Sequence, residues 1–486
     1  MKLALLLRKA MANKVVIYMI TRYFIYAISF ISSMIIAAKM GPYYLGIWGF
    51  ITLLLRYFHI IDFGIGSSVT VLLVQNKGNE KDRADYEMSS IFILGFLSLI
   101  VVLLALYYYL LGIPFFEKYE LGVLFYFICI IAILQYFNDY FFKVYRVKGK
   151  MIEFTFYQSI SQVLTLVAVF IAREEKLVHL LIGVYIVAHF LSFLLFLRGK
   201  GIAVNGKYRW EKAQIILRKG FFLFIYNFCF YMVIISTKTI IGAHYSVEEF
   251  GYFTFAYTLA NAAILLLTAF STLITPKLLD KFNSPDNNVI ESTIRTLRIN
   301  YVFLSHGLMY TAMLCFPILL YLLPNYSETL KAINLTSLAT ILYANSFGYM
   351  SFLMARNRER IIARNSFICF LINVTIALII AKILNASYDY VILATLVSYF
   401  VFAYLSVSYG KKEICQKSDF TTVMKDTFPI GILIPFSVAV VVTIINSPYL
   451  MFFPVLTFIM INIHAIREIY RQFRRILNNP SVIDIN

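Results

Sequence analysis

The sequence predicts an all-α integral membrane protein of about fourteen transmembrane helices: two pseudo-symmetric, parallel six-helix lobes plus two C-terminal helices, with N and C termini cytoplasmic. Three observations carry this. The 486-residue chain is 61% hydrophobic and only 14% charged, and its mean hydropathy is +0.79. Soluble domains sit near 45–50% apolar and about 25% charged. Apolar runs of about 20 residues recur along the whole length. The basic residues collect on alternate connections between those runs.

The runs fall near 15–38, 43–74, 89–112, 121–142, 152–172, 178–197, 220–243, 250–275, 299–323, 333–355, 366–384, 390–410, 427–446 and 449–466. The second is too long for one upright helix, and Gly64 and Gly66 predict a kink or an inward extension there. The opening "MKLALLLRKAMANK" reads as a cytoplasmic leader before a retained span, because the following apolar run is long and contains Arg22. An even number of spans returns both termini to one side. Segments on that side hold about 34 of the 43 basic residues and the opposite loops about 6. The bias assigns the terminal side to the cytoplasm. It explains the net charge of +18 as topology, not as a nucleic-acid site. The outer loops are about ten residues or fewer, too short for a separate domain.

"AKMGPYYLGIWGF" (38–50) aligns with "AHYSVEEFGYFTF" (243–255): Ala38 with Ala243, Gly46 with Gly251, Phe50 with Phe255. Each stretch joins an outgoing span to a returning one, about six spans apart, so the halves share orientation. The implied division is an N-lobe at 1–219, a C-lobe at 220–426 and a C-terminal helix pair with basic tail at 427–486. Two such lobes enclose a cleft that rocking would expose to alternate sides, the plan of a transporter.

"LGIWGF" after the first span, "DFGIG" (62–66), "TKTIIG" followed by "FGYFTFAYTLA", and "TPKLL" (275–279) together resemble the polysaccharide-transport branch of the multidrug/oligosaccharidyl-lipid/polysaccharide exporter superfamily. The likeness is strongest to Wzx-type O-antigen flippases. That family often carries Asp-Arg or Asp-Lys, three apolar residues and Gly in the seventh span. Lys238 and Gly242 match, while Thr237 stands where the Asp would be, so that carboxylate's coupling role has no residue here. The resemblance implies the cargo: an oligosaccharide on a polyprenyl diphosphate (an O-antigen or capsule repeat unit), flipped from the cytoplasmic to the outer leaflet of the cytoplasmic (inner) membrane. Membrane lipids, H⁺ or Na⁺ as coupling ion, and a polysaccharide polymerase and chain-length protein are the implied partners. No cofactor is expected.

A charge at mid-membrane depth costs about 2.5–3.5 kcal/mol on insertion scales, so it faces a cavity or a partner. Arg56, Arg22 and Lys238 are basic residues well inside spans. Arg offers a planar fork for phosphate oxygens and Lys a point charge. The substrate-binding candidates are therefore Arg22, Arg56, His59 and Lys238. The alternative for Arg56 is a bracing network with His59 and Asp62, at i+3 and i+6. For Arg22 and Lys238 the alternative is snorkelling to the nearer surface. The ion-coupling candidates are Asp62, Asp139 and Glu153, since a buried carboxylate with raised pKa binds a proton or sodium ion. Gln135 and Asn138 accompany Asp139, and Gln158 and Gln162 follow Glu153. The alternative for Asp139 and Glu153 is pairing with the basic loop "KVYRVKGK".

Several classes are disfavoured. The chain has no phosphate-binding loop of the nucleotidase type, no zinc-ligand spacing and no nucleophile elbow. Its five cysteines have no redox or metal spacing. A cation-coupled multidrug antiporter of the same superfamily would favour an acidic cavity. A polyprenyl-dependent glycosyltransferase or polymerase would need a substantial outer loop.

Overall fold

A computed structural model describes residues 14–76, 78–111, 114–199, 201, 205–282, 286–414 and 416–478. Residues 1–13, on which most of the cytoplasmic-leader reading rests, lie outside them. The described chain is helical, with no strand among the described residues. Eight helices are long and apolar enough to cross a membrane among the described residues, ten if each of two bent pairs is one span. It separates into two compact units, Met1–Phe255 and Ala256–Asn486.

The first unit holds α1 (Lys14–Ile60), α2 (Ile65–Gln75), α3 (Glu80–Leu111), α4 (Leu124–Val147), α5 (Met151–Ala168), α6 (Glu174–Arg198), α7 (Trp210–His244) and the opening turns of α8 (Val247–Phe282). Helix α1 is two helices joined at Gly41, whose backbone is non-helical (φ 68°, ψ 176°) and is followed by Pro42. Pro42 has no N–H to continue the hydrogen-bond ladder. The predicted break in the second run is real. Gly64 sits at φ 68°, Asp62 Oδ1 accepts from the Gly64 N–H at 2.8 Å, and α2 starts afresh. A Cβ on Gly64 would lie 2.5 Å from the Gly220 carbonyl oxygen. The glycine thus permits both the turn and the approach of α7.

The two repeat segments meet in space. A Cβ on Gly46 would run into the Val247 carbonyl, and one on Gly251 into the Pro42 carbonyl. The matched glycines are therefore the crossing point of α1 and α8. At the same end, Tyr119 stacks on Phe50 with centroids 4.0 Å apart. The Tyr119 hydroxyl and Lys118 Nζ donate to the Gly242 carbonyl at 2.7 and 2.8 Å. At the end that carries the basic loops, buried Asp85 and Glu87 pair with Arg209 (2.7 Å) and Lys148 (2.6 Å).

The second unit runs from the rest of α8 through α9 (Asn287–Leu297), a π-helical turn at Arg298–Val302, α10 (Phe303–Leu322), α11 (Leu330–Ala344), α12 (Tyr349–Ala355), α13 (Glu359–Leu378), α14 (Tyr388–Glu413), α15 (Phe420–Thr427), α16 (Ile430–Ile445) and α17 (Phe452–Asn478). Two of its spans are broken: the helices flanking 345–348 meet at 45°, and α15 and α16 meet at 72° across Pro429. Each break frees backbone carbonyls that need donors. Arg298 serves both. Its Nη1 donates to the Asn345 carbonyl at 2.6 Å, and its Nη2 donates to the carbonyls of Asp426 and Thr427.

Candidate functional site

Arg22 and Arg56 are about 34 residues apart, or about 50 Å along a straight helix. Both nevertheless line one cavity of 430 Å³. The reversal at Gly41 makes this possible by folding the two halves of α1 back toward each other. Helices α4, α5 and α6 complete the wall. They contribute Gln135, Asn138 and Asp139; Gln158, Ser159, Ser161 and Gln162; and Tyr185, His189 and Ser192. Arg22, Asp139, Gln158 and His189 each lie about 7–9 residues, or roughly 10–14 Å, from helix ends that the charge bias assigns to the cytoplasm.

Within the cavity, His59 Nδ1 meets Asp139 Oδ2 at 2.8 Å. The Asn138 amide donates to the His189 carbonyl at 2.8 Å, and Gln135 Nε2 lies 3.2 Å from His189 Nε2. The Arg22 guanidinium stands 5.9 Å over the Phe142 ring. Arg56 is exposed on the wall, and no carboxylate of the described residues lies within 4.0 Å of it. Asn138 Oδ1 and Gln162 Oε1 are buried without a hydrogen-bond donor among the described residues. The wall therefore holds two guanidinium groups, one carboxylate already engaged by a histidine, and two buried acceptors with no donor among the described residues, suited to hydroxyl donors.

The candidates separate cleanly. Arg22, Arg56, His59 and Asp139 converge on the cavity. The bracing network for Arg56 is absent: His59 turns to Asp139, and Asp62 caps the Gly64 turn with Lys143 at 3.6 Å. Asp139 faces His59 in the cavity, with Lys143, the first residue of the basic loop, close enough for the opposite charges to interact. Glu153 is exposed on the first turn of α5, where its charge complements the helix dipole. Lys238 is half-buried on α7 and does not line the cavity. Its ammonium is nonetheless close enough to Arg56 for the like charges to interact, and the hydroxyls of neighbouring Thr239 and Tyr57 share a hydrogen bond that ties α7 to α1. Gly242, the last residue of the seventh-span pattern, leaves room for the Tyr119 hydroxyl, which would lie 3.1 Å from a Cβ there. Sequence reading missed His189, Tyr185 and Ser192. His189 was detectable, being an ionisable residue in mid-span.

No protein-family model matches the sequence, and no curated protein matches it. Solved structures do. An inward-facing multidrug resistance MATE family transporter of the MOP superfamily aligns with TM-score 0.68 at 12% identity, over 84% of this chain and 99% of its own. The lipid II flippase MurJ, in an inward closed conformation, aligns with TM-score 0.69 at 14% identity, over 94% of this chain and 99% of its own. A MOP superfamily transporter from Pyrococcus furiosus Vc1, described as having a binding pocket of reverse polarity, aligns with TM-score 0.59 at 14% identity, over 82% and 94%. The chain has the all-helical fold of these membrane transporters.

Proposed function

We propose that the protein is a transporter of the MOP superfamily, the multidrug/oligosaccharidyl-lipid/polysaccharide exporters, and that it flips an anionic lipid-linked oligosaccharide. Its cargo on this reading is a polyprenyl-diphosphate-linked O-antigen or capsule repeat unit. The cargo moves from the cytoplasmic to the outer leaflet of the inner membrane by alternating access between an N-lobe (1–219) and a C-lobe (220–426). A polymerase and chain-length protein would then take the product.

One observation carries the reading: Arg22 and Arg56 share a polar cavity in which no carboxylate of the described residues lies within 4.0 Å of Arg56. An unpaired guanidinium at depth is costly unless a ligand or water completes it. A diphosphate supplies the missing oxygens in the planar geometry that Arg prefers. The buried acceptors of Asn138 and Gln162 suit sugar hydroxyls, which would otherwise face hydrocarbon. The His59–Asp139 pair is the group on which H⁺ or Na⁺ coupling would act, in preference to Asp62 or Glu153. Lys238 extends the positive field toward α7.

The antiporter reading fits less well. A cationic drug needs a free carboxylate, and the single acid among the described residues on the cavity wall is held by His59.

The test is Arg56→Ala in cells that depend on the chain for surface polysaccharide. The expected result is loss of surface polymer, lipid-linked units retained on the inner leaflet, and unchanged protein level. Arg56→Lys should restore part of the activity. Normal surface polymer in Arg56→Ala would end the reading.

A further inference from the structure

A second cavity, of 560 Å³, lies wholly within the second unit. It is walled by α9 and the π-helical turn after it, the C-terminal end of α14, α15 and the start of α16. Five cations line it, Arg295, Arg298, Lys411, Lys417 and Lys425, against two carboxylates, Glu291 and Asp426. The five fall into two groups. Arg298 is spent on the carbonyls at the two helix breaks, and buried Lys411 is paired with Asp426. Arg295, Lys417 and Lys425 are exposed on the wall, with no carboxylate of the described residues within 4.0 Å.

Membrane topology alone requires only that positive charge stay on one side. It does not require three separate segments to aim unpaired cations into one concavity. Point charges converging from three directions suit a multiply charged tetrahedral anion better than a single carboxylate. Basic pockets at the ends of membrane helices take lipid headgroups for this reason. Two large apolar side chains, Phe420 (67% exposed) and Ile430 (69% exposed), open α15 and α16 and could lie against acyl chains.

We propose that this cavity binds a phosphate-bearing anion, either the headgroup of an anionic lipid or a soluble phosphate. The site shares no lining residue with the cavity of the first unit. Because Arg298, which clamps the helix breaks, and the Lys411–Asp426 pair both line it, an occupant would bear directly on the bent spans.

The experiment uses the full-length protein. Native mass spectrometry measures retained phosphatidylglycerol against phosphatidylcholine, and calorimetry measures inorganic pyrophosphate binding. The variant is Arg295→Gln, Lys417→Gln, Lys425→Gln combined. The control removes the same charge outside the cavity: Arg360→Gln, Arg364→Gln, Lys412→Gln. The wild type should retain phosphatidylglycerol, the cavity variant about tenfold less, and the control as much as wild type. Pyrophosphate binding with the same pattern would identify a soluble phosphate, and phosphatidylglycerol binding alone a lipid headgroup. Should the triple variant fold poorly, Lys417→Gln and Lys425→Gln singly should each weaken binding about two- to threefold. No binding of either probe by the wild type, or equal weakening by cavity variant and control, overturns the proposal.

Discussion

Arg56 in the first unit and Arg298 in the second are the same side chain placed in opposite circumstances. Both line a cavity and both sit among helices that depart from straightness. Arg298 is committed through both of its terminal nitrogens to backbone carbonyls that two broken helices leave open. Arg56 has no carboxylate of the described residues within 4.0 Å, on a wall that also carries Arg22, the His59–Asp139 pair and neutral polar groups. An arginine that completes the protein's own hydrogen bonds is architecture. One whose donors are left over is a place for something else.

That contrast is open to attack in order of expected effect on stability. Arg298→Ala should be the most damaging, since it leaves three carbonyls at two breaks without a donor. We expect a loss of about 3–5 kcal/mol, read as a fall in the thermal unfolding midpoint in detergent. Arg298→Lys should not rescue it, because one ammonium cannot reach both breaks. Gly64→Ala comes next, at about 1–3 kcal/mol, from the left-handed backbone and the Gly220 carbonyl 2.5 Å away. Asp139→Asn should cost about 1 kcal/mol through the weakened contact with His59, with a partial loss of transport. Arg56→Ala should change stability by less than about 0.5 kcal/mol while transport is lost. A stability loss in Arg56→Ala as large as in Arg298→Ala would erase the distinction. Glu153→Gln, on an exposed first turn, should alter neither stability nor transport.

The positions of these residues show how far sequence reading reaches. The break at Gly64 was legible, because glycine pairs in an overlong apolar run have few other uses. Arg56 stood out because insertion cost is a property of one residue at one depth. Its neighbours were not legible. His59 has Asp62 close by in sequence, yet pairs with Asp139 from another helix. Asp62 serves the turn beside it. His189 carried a signal, an ionisable group in mid-span, that passed unread. Arg298 carried none: in sequence it is one more basic residue near a loop, and its role exists only because two distant helices break beside it.

The matched glycines of the repeat make the same point. Aligning Gly46 with Gly251 predicts a duplicated hairpin, and nothing in that alignment says that the two segments touch. They touch because the residues flanking each glycine bring carbonyls to the space a Cβ would fill.

The amino-acid order alone determined the all-helical membrane class, the course of the apolar runs and the charge asymmetry between their ends. These follow from transfer free energies that add along the chain and need no knowledge of contacts. Only the tertiary structure decided which charges are satisfied and which remain available. Ion pairs and hydrogen bonds depend on separations of a few ångströms between side chains that the chain brings together from far apart.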